Sequence, residues 1–377
     1  MTVAGLIFSN LHDSAAPELT AKRTLASVPF GCRYRLIDFP LSNMVNSGIT
    51  KVGIITHNNY QSLVDHISTG KDWDLARRSG GIKILPPFIT AYASHTTGMR
   101  SETYLESLVG VTNFISRCTE DVIVLSDSDG ICNIDLNDVL REHDKNGADI
   151  TIVTTDYTFE EHEEIPFSAN AVESDSEGNV TDIRKLIGDE RSARITTNII
   201  VANRLFLLNQ IEGAAARGYS EFYRDVVKRC IGNYRICEYR FDGTYILISS
   251  LRTYFDASMK LLDKDVRNEL LGPQRPIYTK VRNSAPTVYT SDAKIKNSYV
   301  ADGCIIEGEV ENCILFRGVK VGKGTKLSNC VLLQDADIGD NVTMNCVVTD
   351  KNVTVKDGRM LSGHKTLPFF LSKGVEV

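Results

Sequence analysis

The last part of the chain carries a repeat, and this repeat constrains the fold more than any other feature. Apolar residues two positions apart return every 17 residues, beginning at Val319, Ala336 and Val353. Pairs of Asn followed by Cys recur in parallel, beginning at Asn312, Asn329 and Asn345. Such repeats are typical of a left-handed parallel β-helix, in which each coil buries its apolar side chains only against neighbouring coils. We predict a β-helix domain over residues 290–377, with about four to five coils.

The first 270 residues show a different periodicity. Short β-branched runs such as DVIVLSDS and ADITIVTTD alternate with segments such as LNDVLREHDKNG, whose apolar residues recur at helical spacing. This alternation is typical of βαβ units and a mostly parallel sheet covered by helices. We therefore predict an α/β fold, with a Rossmann-like domain over residues 1–270 and a Pro-rich, basic linker over residues 271–289.

Composition argues against several classes of protein. The net charge of −6 disfavours a nucleic-acid binder, because a phosphate backbone is bound by surplus Lys and Arg. No apolar run reaches the ~18 residues of a membrane span, and the start MTVAGLIFSN lacks the basic residues of a signal peptide. The nine Cys form no CxxC pair, which favours reduced thiols. We expect a cytoplasmic protein that binds neither membranes nor nucleic acid.

Residues 27–48, SVPFGCRYRLIDFPLSNMVNSG, closely resemble the block after the nucleotide-binding loop in bacterial ADP-glucose pyrophosphorylases. The resemblance covers nearly the whole chain and implies a nucleotidyltransferase domain followed by a β-helix. That family joins ATP and glucose 1-phosphate to ADP-glucose and pyrophosphate for glycogen biosynthesis. Its proteins position substrates and stabilise charge with a phosphate-binding loop, two carboxylates for Mg²⁺ and a basic clamp for the sugar phosphate.

The phosphate-binding elements implied by this resemblance are altered in the present chain. The family loop A-G-G-x-G-T-R-L matches Ala4-Gly5 and then Leu6, Ile7 and Phe8, whose side chains we expect to obstruct backbone contact with phosphate. A family Lys falls on Leu25, which we expect to pack in the core. Residues 182–186 replace the E-K-P stretch and residues 98–102 replace G-T-A-D-A, whereas residues 220–227 follow S-D-F-G-K-D-x-I in outline.

Only one of the two carboxylates that the resemblance implies for Mg²⁺ is present. Asp129 takes the first metal position, and Asp127 lies two residues before it. Such a D-x-D pair holds a divalent cation or hydrogen-bonds turn amides, and both interpretations stay open. The family motif G-Y-W-R-D-V-G-T matches residues 243–250 without a gap and places Leu247 at its metal-binding Asp. Leucine cannot ligate Mg²⁺, and losing one carboxylate costs about 10³-fold or more in rate. We therefore predict no catalytic residue, metal or cofactor for this chain alone.

The chain keeps the segments that build the family's fold but differs at the residues for its chemistry. In this combination it resembles the GlgD-type subunit of some Gram-positive bacteria. That resemblance implies a regulatory subunit that pairs with a catalytic, Mg²⁺-dependent GlgC-type subunit in a heterotetramer, or forms a homo-oligomer when alone. For a sugar-phosphate or phosphate effector, Arg23, Arg33 and Arg35 are the candidate anion-binding residues; salt-bridged or solvated surface charge is the alternative. The apolar segments 85–89 and 367–371 are candidates for subunit contacts, or they pack within the chain.

Three alternatives remain open from the residues. One is an active sugar-1-phosphate nucleotidyltransferase with substituted ligands, for which Asp127 is the available carboxylate. Another is a glycosyltransferase that uses Asp127 and Asp129 for a nucleotide sugar. A third is an acyltransferase built on the β-helix, but such enzymes need a catalytic His over the coils, and His364 lies beyond the repeat.

Overall fold

The structure is a computed structural model, and it describes residues 1–86, 103–161, 163–166, 168–186 and 190–377. The strands of the N-terminal domain follow in chain order: β1 Val3–Phe8, β2 Pro29–Phe30, β3 Tyr34–Arg35, β4 Lys51–Ile55, β5 Gly81–Leu85, β6 Val122–Ser126, β7 Gly130–Ile131, β8 Ile150–Thr158, β9 Asn170–Ser174, β10 Val180–Lys185, β11 Ser192–Asn203, β12 Ile236–Arg240 and β13 Ile246–Leu247.

The helices of this domain cover the sheet or connect its strands. They are α1 Pro17–Thr20, α2 Asp38–Asn46, α3 Gln61–Ile67, α4 Tyr104–Gly110, α5 Thr112–Ser116, α6 Leu136–Lys145, α7 Arg204–Ala216, α8 Lys228–Cys230, α9 Leu251–Lys260 and α10 Lys264–Leu271. Short 3₁₀ turns span Asp13–Ala15, Leu25–Ser27 and Lys71–Trp73, and a π-helical turn spans Tyr223–Val227.

The main sheet has a parallel half and a largely antiparallel half. Strands β5, β4, β1 and β6 run parallel, with β1 in the middle, as the βαβ pattern predicts. Strand β11 then pairs antiparallel with β6, and both β8 and β9 pair antiparallel with β11. Strands β9 and β10 are joined by a short turn, and such a connection favours antiparallel neighbours. The carboxyl ends of β1, β4 and β6 therefore meet at one edge, where the predicted site residues begin.

The C-terminal domain is the predicted left-handed β-helix. Its coils have three faces of five parallel strands each. The first face holds β14 Val288–Tyr289, β17 Ile305–Ile306, β20 Lys320–Val321, β23 Asp337–Ile338 and β26 Thr354–Val355. The second holds β15 Lys294–Lys296, β18 Glu309–Glu311, β21 Lys326–Ser328, β24 Thr343–Asn345 and β27 Met360–Ser362. The third holds β16 Tyr299–Val300, β19 Ile314–Leu315, β22 Val331–Leu332, β25 Val347–Thr349 and β28 Phe369–Leu371. Because β14 already pairs with β17, the first coil starts two residues before the predicted boundary at 290, inside the predicted linker.

The Asn-Cys pairs mark one corner in three of the coils, and in the third pair Cys346 instead of Asn345 has the positive φ, of 51°. Asn312 and Asn329 adopt the left-handed conformation, with φ of 51° each, which Asn tolerates better than most residues. The Cys that follows each of them turns into the coil and is fully buried. All nine cysteines of the chain are buried and unbridged. The repeat in the sequence is therefore explained by corner geometry and by the small space inside the coil.

The third face of the β-helix packs against the N-terminal domain. Ile314, Val331 and Val348 on this face belong to the same apolar core as Phe30 and Tyr254 of the other domain. The hydroxyl of Tyr254 donates a hydrogen bond to the backbone oxygen of Pro29 at 2.7 Å within this core. The two domains therefore share one continuous buried contact. Within the described ranges, no helix is long and apolar enough to cross a bilayer.

Candidate functional site

The loop after β1 differs from the prediction in position. Strand β1 includes Gly5, Leu6, Ile7 and Phe8, and it pairs with β4 and β6. The prediction that these side chains obstruct backbone contact with phosphate was therefore wrong. The alignment through Ala4-Gly5 was wrong because pairing with β6 continues to Ile7 and pairing with β4 extends the strand through Phe8. The loop at the sheet edge is formed by residues 9–13 instead. Residues 9–15 contain neither Gly nor Arg, so the family's phosphate-binding residues are still missing from the loop.

Leu25 lies behind this loop and packs in the interdomain core. Its side chain is 2% exposed and lies in the same apolar cluster as Phe30 and Tyr254. Its backbone N–H donates a hydrogen bond to Asp13 Oδ1 at 2.6 Å. Burial raises the pKa of Asp13 to about 7, although this hydrogen bond acts in the opposite direction. The position of the family Lys is therefore apolar and tied to the loop.

Asp127 and Asp129 lie between β6 and β7, at the carboxyl edge of the sheet. Both carboxylates face the ring of His12, whose Nε2 lies 2.8 Å from Asp127 Oδ2 and 3.4 Å from Asp129 Oδ2. Asp127 Oδ1 accepts a hydrogen bond from the backbone N–H of Ser128 at 2.7 Å. Asp129 is 1% exposed, and its Oδ1 has no hydrogen-bond partner in the part of the chain that the structure describes. We call His12, Asp127 and Asp129 the strand-edge cluster.

The charges of the strand-edge cluster shift its pKa values. Burial lowers the pKa of His12, but the carboxylates of Asp127 and Asp129 together outweigh burial and raise this pKa to about 10. Burial, and next to it the charge of Asp127, raises the pKa of Asp129 to about 7. At neutral pH the ring of His12 is therefore a cation between two acidic groups. The sequence did not single out His12, because the family motif has no histidine in this loop.

Leu247 lies beside Asp129, as the gapless match to the family motif implies. It is in strand β13, directly opposite Gly130 of β7. The backbone N–H of Ile248 donates to the backbone oxygen of Asp129 at 2.8 Å and fixes this neighbourhood. The side chain of Leu247 is 4% exposed and shares an apolar cluster with Phe159. The residues present therefore do not form the carboxylate pair that the resemblance implies for Mg²⁺.

A basic cleft of about 320 Å³ lies where the resemblance places the sugar-phosphate clamp. Its basic side chains come from β10 and from the segment around residue 225: Arg184, Lys185, Arg224 and Lys228. Each of them has an acidic neighbour; for example, Arg184 donates to both carboxylate oxygens of Glu190 at 2.7 Å. Lys185 Nζ lies 3.9 Å from Glu221. Comparison of residues 182–186 with the family stretch E-K-P did not find this cleft, because its basic residues come from two separate segments of the chain. Residues 98–102 lie outside the described ranges.

Of the three candidate anion-binding arginines, Arg23 lies at the contact between the domains, and Arg35 lies close enough to it that, besides burial, the charge of Arg23 lowers the pKa of Arg35. The Nη2 of Arg23 donates to both oxygens of Asp350, at 2.7 and 2.5 Å, and both side chains are buried. Its Nη1 is buried without a hydrogen-bond partner among the described residues. The Nη1 of Arg35 donates to the backbone oxygen of Ser62 at 2.6 Å and to its hydroxyl at 2.9 Å. We call Arg23, Arg35, Asp350 and Lys351 the interdomain cluster.

The interdomain cluster holds more positive than negative charge. Burial lowers the pKa of Lys351 to about 7, and the charges of Arg35 and Arg23 contribute to this shift. Burial also lowers the pKa of Arg35 to about 10, against the opposite effect of Asp38. Arg282, an exposed residue of the segment before the β-helix, lies close enough to lower both pKa values further. Arg23, Arg35 and Lys351, with Asp350 and Asp38 as acidic neighbours, still carry a surplus of positive charge that is suited to an anion.

Comparison with known proteins identifies the family of this chain. A model described as nucleotidyl transferase matches residues 17–183, and one described as GlmU-like C-terminal hexapeptide matches residues 284–365. The glycogen biosynthesis protein GlgD of Bacillus subtilis (strain 168) is 34% identical over 372 residues, covering 98% of this chain and 96% of the relative. The chain belongs to the GlgD family.

Other relatives connect the GlgD family to an enzyme. GlgD of Geobacillus stearothermophilus is 34% identical over 321 residues, covering 85% of this chain and 81% of the relative. A glucose-1-phosphate adenylyltransferase of Bacillus thuringiensis (strain Al Hakam) is 28% identical over 353 residues, covering 93% of this chain and 92% of the relative. This GlgD-family chain is thus a member of the nucleotidyltransferase family of glycogen biosynthesis, which confirms the family inferred from residues 27–48.

The remaining candidates in this GlgD-family chain lie apart from both clusters. Arg33 is exposed, and its guanidinium carbon lies 6.0 Å from the centre of the Tyr34 ring. In the segment 367–371, Leu371 is buried in the β-helix, whereas Leu367 and Phe369 are 77% and 43% exposed. Leu85 ends strand β5 and packs against the sheet core, and residues 87–89 lie outside the described ranges.

Proposed function

We propose that this chain is a regulatory subunit of glucose-1-phosphate adenylyltransferase. In this proposal it has little or no catalysis of its own and modulates a catalytic GlgC-type subunit, within a heterotetramer in the cytoplasm. The observation that carries the proposal is the buried Leu247 opposite Gly130, next to Asp129. Charge neutralisation around the transferring phosphates supplies much of the catalysis in phosphoryl and nucleotidyl transfer, and an alkyl side chain cannot supply it.

The loop after β1 supports the same proposal. A triphosphate is held by backbone N–H groups that glycine leaves open, together with a basic side chain. Residues 9–15 offer Leu11 and His12 in that loop but no Gly, Arg or Lys. The one cationic side chain there, His12, faces Asp127 and Asp129 rather than a free space for phosphate. The loop therefore favours a subunit that holds no triphosphate in a reactive position.

The interdomain cluster supports the regulatory half of the proposal, with a phosphate or sugar phosphate as its effector. The unpartnered Nη1 of Arg23 is a buried donor that an anion would satisfy, and Arg35 and Lys351 supply further positive charge. Arg23 belongs to the N-terminal domain, whereas Asp350 and Lys351 belong to the β-helix. An anion bound here would stabilise one arrangement of the two domains, and this is how a ligand shifts a conformational equilibrium.

The exposed end of the β-helix supports the existence of a partner subunit. Met360, Leu367 and Phe369 are 80%, 77% and 43% exposed, and they lie in or next to the last strands, β27 and β28. These strands end their sheets, so one edge of each lacks a strand neighbour. Apolar side chains beside open strand edges are the type of surface that proteins cover by association.

The proposal is tested by comparing this chain, a catalytic homologue and the co-expressed pair in an ADP-glucose synthesis assay, with and without phosphate and sugar phosphates. We expect no measurable turnover by this chain alone and a changed rate or effector response of the pair. An Arg35→Ala variant should keep the association with the partner but weaken the response to the effector, and an Arg33→Ala variant serves as the matched control. Mg²⁺-dependent turnover by the isolated chain at a rate close to that of the homologue would overturn the proposal.

A further inference from the structure

The strand-edge cluster contains three side chains whose ligating atoms lie within 4.8 Å of one another. These atoms come from two separate loops: His12 follows β1, whereas Asp127 and Asp129 follow β6. Metal bonds to histidine nitrogen and carboxylate oxygen are about 2.0–2.2 Å long, so adjacent ligand atoms lie about 3.0–3.4 Å apart. The measured separations from His12 Nε2, 2.8 Å and 3.4 Å, are close to this range. One ion would therefore fit between the three groups with small side-chain shifts.

A second observation points to a missing ligand at the same place. Asp129 is almost completely buried, yet its Oδ1 accepts no hydrogen bond from any described residue. The hydroxyl of Tyr245 is also buried without a described partner, and a Cβ on Gly130 would lie 2.7 Å from it, which places it beside Asp129. Buried polar atoms are nearly always satisfied by protein, by water or by an ion.

The balance of charge favours a cation over other ligands. His12 is the one basic side chain that the described residues place within 4.0 Å of either carboxylate. The imidazolium of His12 offsets one of the two carboxylate charges, whereas a divalent ion in place of its proton would offset both, and buried charge is costly unless it is paired or bound to a metal.

The chemistry of the ligands selects the class of cation. Mg²⁺ prefers oxygen ligands and keeps its water molecules, whereas an imidazole nitrogen suits divalent ions of the first transition series. One imidazole with two carboxylates is a mixed set that fits Mn²⁺, Co²⁺ or Zn²⁺. The carboxylate at position 247 that the family resemblance implies for Mg²⁺ is absent, so this donor set is different from that one.

We propose that His12, Asp127 and Asp129 bind one divalent transition-metal ion, which takes the place of the proton on His12 Nε2 and releases that proton to solvent. The ion joins the loop after β1 to the loop after β6. Its role is structural, because Leu247 leaves no second carboxylate facing a substrate. The metal would hold residues 9–13 in the position where the catalytic relatives need a phosphate-binding loop. This inference goes beyond the proposed regulatory function and does not depend on it.

The test uses the full-length, untagged protein after treatment with a chelator. Mn²⁺ is the first probe, because the nine buried thiols compete less for Mn²⁺ than for Zn²⁺. We expect binding of one equivalent by calorimetry, and a rise in the unfolding temperature with Mn²⁺ that equal Mg²⁺ does not produce. Co²⁺ should give a visible absorption spectrum that reports a nitrogen ligand.

The variants His12→Ala and Asp129→Asn should each weaken Mn²⁺ binding by about 100-fold or more, since even a residue behind a ligand is worth 10- to 100-fold. His364→Ala removes an exposed histidine in the β-helix domain and should leave Mn²⁺ binding unchanged. Asp129→Asn keeps the shape of the side chain, so it provides the answer if His12→Ala does not fold. The wild-type comparison of Mn²⁺ with Mg²⁺ needs no variant.

Three results would overturn the proposal: no binding of Mn²⁺ or Co²⁺, unchanged Mn²⁺ affinity in His12→Ala, or equal affinity for Mg²⁺. In the first case, the imidazolium of His12 is the counter-charge of the two carboxylates, and no metal ion takes its place. None of these results bears on whether the chain modulates a catalytic subunit, because that assay is read from the rate of the pair. Turnover by the isolated chain would instead overturn the regulatory function and leave the metal site standing.

Discussion

The strand-edge cluster and the interdomain cluster are both groups of buried charge, but with opposite balance. In the strand-edge cluster, two carboxylates surround the single imidazole of His12. In the interdomain cluster, the positive charges of Arg23, Arg35 and Lys351 outnumber the carboxylate of Asp350, even with Asp38 next to Arg35. The first lies at the carboxyl edge of the sheet, next to the loop after β1, and the second lies between the two domains.

The difference indicates which site still faces an anionic ligand. The carboxylates of Asp127 and Asp129 repel a triphosphate, and the alkyl side chain of Leu247 offers it no favourable interaction. A surplus of arginine and lysine attracts phosphate groups. This contrast supports the proposal that the strand-edge cluster does not serve catalysis and that the interdomain cluster binds an anionic effector. Four substitutions break or sharpen this comparison, beginning with the largest expected effect.

Asp350→Asn is expected to cost the most stability. Arg23 and Asp350 have side chains only 4% and 6% exposed, and removing one partner of a buried pair typically costs about 3–5 kcal/mol. The measurement is the free energy of unfolding in urea. The double variant Arg23→Met with Asp350→Leu should lose much less, because both charges leave together. A cost of Asp350→Asn below about 1 kcal/mol would show that the guanidinium finds another partner.

Leu247→Asp restores the family's carboxylate but places it in an apolar cluster. We expect a loss of about 2–4 kcal/mol in unfolding free energy, since a packed leucine is removed and a carboxylate is buried. ADP-glucose synthesis should remain undetectable, because residues 9–15 still lack the phosphate-binding Gly and Arg. Leu247→Met is the control of similar volume and should cost less than about 1.5 kcal/mol. Clear turnover by Leu247→Asp would mean that catalysis depends less on the loop after β1 than on the carboxylate at position 247.

Lys351→Met tests the charge surplus through pH. Burial lowers the pKa of Lys351 in the folded protein from 10.5 to about 7. Above pH 7 the unfolded chain therefore binds more protons at this residue, and wild-type stability should rise with pH. Relative to Lys351→Met, the gain between about pH 7 and pH 9 is on the order of 2 kcal/mol.

The control for this pH dependence is Lys356→Met, which removes an exposed lysine of the same domain. Its stability relative to wild type should stay constant over the same pH range. Added phosphate should reduce the wild-type dependence, because a bound anion favours the protonated form of Lys351. An equal pH slope in wild type and Lys351→Met would contradict the placement of a half-buried, easily deprotonated lysine in the interdomain cluster.

Arg33→Ala is expected to have the smallest effect. This side chain is exposed and stays outside the interdomain cluster, so stability should change by less than about 0.5 kcal/mol. Phosphate affinity, measured by calorimetry, should stay within about twofold of wild type. Arg35→Ala in the same experiment should weaken it by about tenfold or more. A larger loss in Arg33→Ala than in Arg35→Ala would move the anion site to the outer surface near Tyr34.

Some of the fold and the site followed directly from the sequence. The 17-residue repeat predicted the β-helix because each coil repeats the same inward positions, such as Val319, Ala336 and Val353. The position of Leu247 followed from the family motif, because the match to that motif has no gap. The structure places Leu247 opposite Gly130 and next to Asp129, as the match implies.

Other features depend on contacts between distant parts of the chain. The loop after β1 was predicted too early in the chain, because only the pairing of β1 with β4 and β6 decides where that strand ends. His12 meets Asp127 across 115 positions of sequence, and Arg23 meets Asp350 across 327 positions. No local pattern carries such pairings.

The sequence by itself thus determined the two domain types, the family and the loss of the second carboxylate, since each of these is a property of short segments read in order. Only the tertiary structure decided which charges share a buried environment. That environment depends on how the sheet edge and the third face of the β-helix bring separate segments together, and the electrostatic energy of a side chain is set by its neighbours in space.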